Sequence, residues 1–197
     1  MPLVVERSNP RYRPLGAGLK PAVRLLAGLG TGRAGGGHNR AESPSPGDPV
    51  MTDALALPVD ALAAWVPDGA SVTVHKGDEP DVPMALALAL IRRGARGLHL
   101  ITLPTAAYPA SGMMVDLLIG AGCVDSVETS GISLHELGAA PCFTRAVKSG
   151  RLRVLDATCP AVYAALQAGA KGQPFAPLRG LIGSDLLRHR SDWRTID

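Results

Sequence analysis

The chain has 197 residues, 46% of them hydrophobic and only 4% aromatic, with 20 Lys and Arg against 17 Asp and Glu. That length allows one ordinary domain with a tail, and the apolar fraction excludes a wholly disordered protein. Rings this scarce argue against a base-stacking binder of RNA or single-stranded DNA.

The formal charge of +3 is unevenly placed. Residues 1–50 carry seven Lys and Arg against Glu6, Glu42 and Asp48, a net of +4. The other 147 carry 13 against 14, a net of −1. The basic character therefore belongs to the tail, and residues 51–197 hold no overall charge excess for nucleic acid. Residues 1–50 also contain nine Gly and seven Pro and no sustained period. They are read as a disordered extension or as a non-native leader before a start at Met51; a Gly-Pro-rich stretch fits an amphipathic targeting helix poorly. Gly30-Thr31-Gly32-Arg33-Ala34-Gly35 matches the dinucleotide-binding pattern. It lacks the following helix whose amides would meet a pyrophosphate, and is read as chance.

From Met51 onward, short apolar strands alternate with longer apolar helices. Residues 54–66 predict a helix stopped by Pro67-Asp68-Gly69, and 71–74, β-branched, a strand. A helix over 83–93, with Asp81 as its cap and Gly94 as its end, leads to a strand over 98–103. A helix over 111–120 precedes a strand over 124–129, and a helix over 144–149 a strand over 152–155. Thr158 caps a last helix over 160–167, ended by Gly169. This succession predicts an α/β fold, an open, mostly parallel sheet with helices on both faces. Residues 174–180 then read as extended, and 192–197 end without a closing strand or helix, so the domain reads as short at its C-terminus.

In such sheets ligands sit beyond the carboxyl ends of the strands. That selects 74–81, 103–112, 130–141 and 156–160 as the functional rim. Within it, Glu79 is a candidate general base beside His75, set against a solvated turn charge. Glu128 is a second candidate base, since a carboxylate at the end of an apolar strand is costly if buried alone. His135-Glu136 supplies acid–base types in a loop that is polar anyway. Ser111-Gly112 opens a helix whose free amides suit an acyl oxyanion, or is an ordinary N-cap. Arg179 suits a carboxylate and Ser184 offers a hydroxyl; the alternative is that Arg179 braces its segment or pairs with Asp185. Cys142 near His135 is a nucleophile candidate against a more usual buried thiol. The three cysteines, Cys123, Cys142 and Cys159, form no C-x-x-C, so neither a zinc site nor a redox pair is read, and no metal is expected. No apolar run approaches the ~20 residues that span a bilayer. With reduced thiols and no secretory leader, the chain is placed in the cytoplasm.

Four stretches from Val66 onward stand out together: Pro67-Asp68-Gly69-Ala70-Ser71-Val72-Thr73-Val74, Leu117-Leu118-Ile119-Gly120-Ala121-Gly122-Cys123-Val124, Phe143-Thr144-Arg145-Ala146 and residues 174–185. In this order and spacing they resemble the alpha subunit of the family I coenzyme A transferases, glutaconate type. The resemblance implies pairing with a homologous beta subunit, coenzyme A as substrate with no permanently bound cofactor, and a ping-pong reaction. The nucleophilic glutamate would lie on the beta subunit, so no catalytic residue is expected in this chain. Substrate contacts would come from His75, Lys76, Gly77, Ser111, Gly112, Arg179 and Ser184. The loop after the first strand, glycine-rich in the family, reads here His75-Lys76-Gly77-Asp78-Glu79-Pro80-Asp81, so three carboxylates oppose an anion at Lys76. The alternatives are an acyl-CoA hydrolase of the same fold and a non-catalytic or truncated interaction subunit, with a sugar-phosphate-binding domain behind them.

Overall fold

Val72, Leu100, Val127 and Val154 lie side by side at the centre of a four-stranded parallel sheet. The computed structural model describes residues 3–6 (backbone only), 57–74, 82–104 and 113–195. The N-terminal strand β1, Leu3–Glu6, lies apart from this sheet. In chain order follow α1 (Val59–Ala64), β2 (Ser71–Thr73), α2 (Met84–Arg93), β3 (Leu98–Thr102), α3 (Met114–Gly120) and β4 (Val124–Thr129). After them come a 3-10 turn (His135–Leu137), α4 (Pro141–Lys148), β5 (Arg153–Asp156), α5 (Cys159–Ala170), β6 (Phe175–Pro177), α6 (Leu186–His189) and β7 (Arg194–Thr195).

Local chemistry sets most boundaries. Gly94, at φ 73°, ends α2 after Arg92 and Arg93, whose charge suits the negative end of the helix. Pro83 stands at the N-cap of α2 with no side-chain bond, and the expected cap Asp81 lies outside the described residues. Thr158 does cap α5, accepting from the Ala161 amide, and the helix runs through Gly169 to Ala170.

The sheet order is β2-β3-β4-β5, the order of the sequence. Right-handed crossovers between such neighbours all return over the same face. Accordingly, Leu98, Leu100 and Val127 form one core with Ala63 of α1, Leu90 of α2, Val115, Leu118 and Ile119 of α3 and Ala146 of α4. The opposite face receives α5 and the chain after β6. There Ile101 and Leu103 pack with Ala161, Val162, Leu181 and Trp193. Helices thus cover both faces, unequally. Because side chains alternate along a strand, His99 and Ile101 on β3 and their partners Ser126 and Glu128 on β4 share this second face.

A second, three-stranded antiparallel sheet has the order β6-β1-β7. Val4 pairs with Pro177 on one side and with Arg194 on the other. Leu3–Glu6 is therefore a strand, although the first fifty residues carry no period, and Arg194–Thr195 is a strand where none is expected. Both are too short to show a period, and their partners are remote in sequence. Pro177 is tolerated because β6 is an edge strand. Among the described residues no helix is long and apolar enough to cross a membrane.

Candidate functional site

The described rim lies at the carboxyl ends of β4 and β5. His75, Lys76, Gly77 and Glu79, and likewise Ser111 and Gly112, lie outside the described residues, as does Gly30–Gly35. What the structure does place is Glu128, Arg179, Ser184, His135, Glu136 and the three cysteines.

Glu128 is buried, and its Oε1 accepts from Arg190 Nη2 at 3.0 Å. Its other oxygen lies 3.9 Å from His99 Nε2, and His99 Nδ1 sits 2.8 Å from Ser126 Oγ. Arg190 is only 3% exposed, and everything around it is arranged for its charge. Nε donates to Asp192 Oδ1 at 2.8 Å and Nη2 to Asp192 Oδ2 at 2.7 Å. Nη1 donates to the Asp156 carbonyl at 3.0 Å, and the Trp193 ring centroid lies 4.1 Å from the guanidinium carbon. Burial alone would lower the Arg190 pKa; the hydrogen bond and charge of Asp192, with those of Glu128, hold it above the ordinary value instead. The carboxylate read as a candidate base is thus the anchor of a buried ion pair. It closes the chain after β6 onto the ends of β4 and β5.

Around that anchor the rim carries a hydroxyl and a thiol. Ser130 Oγ and Cys159 Sγ are 3.0 Å apart, with Cys159 in the first turn of α5. Thr129 Oγ1 donates to the Gly131 carbonyl at 2.8 Å and turns the chain out of β4. Ser184 is half-buried, and its Oγ has no hydrogen-bond partner among the described residues; the same holds for Trp193 Nε1. Arg179 is exposed. Asp185, the partner considered for it, pairs with Arg188 at 3.1 Å. The structure thus brings Glu128 and the 178–193 segment together through Arg190.

The loop after β4 leads into α4. His135 and Glu136 are exposed, and His135 adopts φ 52°, uncommon outside glycine. Cys142 Sγ accepts from Arg145 Nη2 at 3.3 Å and lies against α3, where a Cβ at Gly120 would come within 2.8 Å of it. Glycine at position 120 is what lets the two helices approach. Asp116, 1% exposed on α3, accepts from the amides of Cys142 and Phe143 at 3.1 and 2.7 Å and so caps α4 from across the core. Burial raises the Cys123 pKa, against the lowering influence of Arg96. Among the described residues no three His, Cys, Asp or Glu side chains gather to hold a metal ion.

Sequence reasoning missed Asp116, Arg190, Asp192 and the Ser130–Cys159 pair. Only Asp116 had a local signal, a lone carboxylate inside the apolar run Met113–Ile119.

No protein-family model matches the chain. Over 139 residues it is 32% identical to the A-type subunit of the 3-oxoadipate CoA-transferase of Pseudomonas knackmussii, a match covering 69% of this chain and 46% of that protein. Over 143 residues it is 32% identical to an uncharacterized protein of Archaeoglobus fulgidus, covering 72% of this chain and 31% of the relative. Among solved structures, a cysteine-to-serine variant of the decarboxylase AibA/AibB aligns with a TM-score of 0.57 and 30% identity, over 68% of this chain and 50% of that one. The chain spans less than half the length of the curated relatives it matches. The likeness to the A-type subunit of a CoA-transferase supports the resemblance read from the sequence at the level of an alpha-type subunit, without fixing its type.

Proposed function

We propose that this chain is the alpha-type subunit of a two-component acyl-CoA:carboxylate CoA-transferase working in the cytoplasm on small or dicarboxylic acids. The observation that carries this reading is the 32% identity over 139 residues to the A-type subunit of a 3-oxoadipate CoA-transferase. The parallel sheet, with the Ser130 hydroxyl and the Cys159 thiol at its carboxyl ends, supports it.

In this reading the acyl-CoA carbonyl is attacked by a glutamate of a homologous beta subunit. The C–S bond breaks, giving an acyl–glutamyl anhydride and CoA thiolate. The thiolate attacks the glutamyl carbonyl, releasing the first acid and leaving a glutamyl-CoA thioester. A second carboxylate takes over the CoA by the same two steps. Each is an ordinary acyl transfer, and dividing the reaction lowers its barrier. This chain forms one wall of the acid pocket with the Arg179–Ser184 stretch and the rim loops. The buried carboxylates Glu128 and Asp116 are engaged by Arg190 and by the α4 amides, which favours a nucleophile on the partner.

The structural neighbour favours a second reading, a two-component decarboxylase of the same architecture. A native mass spectrum of the protein purified from its source, before and after adding acyl-CoA, tests both. A second subunit that gains a covalent CoA adduct supports the transferase. CO2 release from a carboxyacyl-CoA without an adduct supports the decarboxylase, and free acid with an unmodified partner supports a hydrolase. A lone, inactive chain overturns all three.

A further inference from the structure

Charge is concentrated in one place. Of the 13 Lys and Arg in residues 51–197, four (Arg145, Lys148, Arg151 and Arg153) fall within residues 137–155, which hold none of the 14 Asp and Glu. Arg151 is tied down, donating to the Ile119 carbonyl at 3.2 Å. Arg145 and Lys148 are exposed on α4, which carries no acidic residue. They stand three residues apart, on one face, where like charges repel.

That face is concave. Ala139, Pro141, Thr144, Arg145, Lys148 and Ser149 line an open groove of about 590 Å³. The positions 141, 144, 145, 148 and 149 follow helical spacing, with Ala146 buried on the opposite side. Asp116, across the helix interface, is taken up by the α4 amides, and Glu136 stands in the turn before the helix, ahead of the lining. Arg145 and Lys148 beside the Thr144 hydroxyl, with no anion in the lining, make a receptor for phosphate oxygens; the Ser149 hydroxyl is spent on the Ala146 carbonyl at 3.1 Å. The groove begins where the rim loop after β4 enters the helix, so a ligand reacting at the rim can extend along it.

We propose that this groove binds a phosphate ester and, resting on the transferase reading above, that it holds the nucleotide phosphates of the CoA thioester while the acyl end lies at the rim. The test uses the purified protein together with its partner and titrates adenosine 3′,5′-bisphosphate by calorimetry. The double variant Arg145→Glu with Lys148→Glu is compared with a control of equal charge change, Lys171→Glu with Arg188→Glu. The groove variant is expected to bind at least ~10-fold more weakly and the control to match wild type. Equal weakening in both variants, or no binding by wild type, overturns the proposal.

A second measurement separates this inference from the function it rests on. If CoA is the phosphate source, the groove variant raises KM for an acyl-CoA and leaves KM for the corresponding acyl-pantetheine unchanged. Groove-dependent bisphosphate binding in a protein with no acyl-CoA activity would keep the phosphate site, assign it to a free phosphate ester and overturn the transferase. Unchanged KM for both substrates in an active groove variant would overturn the CoA assignment alone. An acidic polypeptide that is retained by wild type and displaces the bisphosphate would make the groove a docking surface and overturn the small-ligand assignment.

Discussion

Glu128 and Arg190, 62 positions apart in the chain, meet at 3.0 Å, and both side chains are almost wholly out of water. Removing one partner of such a pair leaves a buried charge behind. Arg190→Met, which also removes the two bonds that Asp192 accepts from the guanidinium, is expected to cost about 3–5 kcal/mol. Glu128→Gln should cost less, because Asp192 still balances the guanidinium. Urea denaturation of both variants checks the order. Equal losses would mean that Asp192 carries no share of the balance.

Asp116 is the cap that α4 lacks in its own sequence. Asp116→Ala leaves the Cys142 and Phe143 amides without their acceptor, and about 1–3 kcal/mol of stability is expected to go with them. Faster hydrogen exchange should be confined to the first turn of α4. Exchange spreading over the whole sheet would show that the carboxylate supports more than the cap.

Neighbouring leucines of α3 separate core from surface. Leu118 is 1% exposed and Leu117 40%. Leu118→Ala should cost about 2–5 kcal/mol in thermal or chemical unfolding, and Leu117→Ala well under 1 kcal/mol. Similar losses would indicate that the outer face of α3 is covered in solution.

Cys123 gives a pH dependence of known sign. Its pKa is raised in the folded state by burial, so the unfolded chain loses the thiol proton first. The stability linked to this group is whole below roughly pH 8.5 and falls as pH rises through the folded pKa. Cys123→Ala should flatten that part of the stability curve. The same burial predicts slower reaction of Cys123 than of Cys142 or Cys159 with a disulfide reagent.

The parallel sheet was legible because β-branched and leucine-rich strands alternate with helices that end at glycine. Four strands and their crossover helices stand within three residues of where the pattern puts them: α3 starts at Met114 rather than 111, and α4 at Pro141 rather than 144. The cost of burying Glu128 was legible too; its remedy was not. Arg190 lies in a stretch with no period, and nothing local says which carboxylate a distant arginine will meet. The two flanks of the small sheet escaped for the same reason. A two-residue strand has no alternation to read, and Val4 finds Arg194 at the other end of the chain. Asp116 could have been read, since an acid inside an apolar helix needs a partner.

The sequential order of the main sheet also has a kinetic consequence. Each strand from β2 to β5 pairs with the one before it, so every pairing closes a loop of only a few tens of residues. The Glu128–Arg190 closure spans roughly twice that distance and depends on strands already in place. Assembly should therefore run from β2 toward β5, with the C-terminal strap arriving after the barrier. Weakening the strap would then show as faster unfolding at a nearly unchanged folding rate.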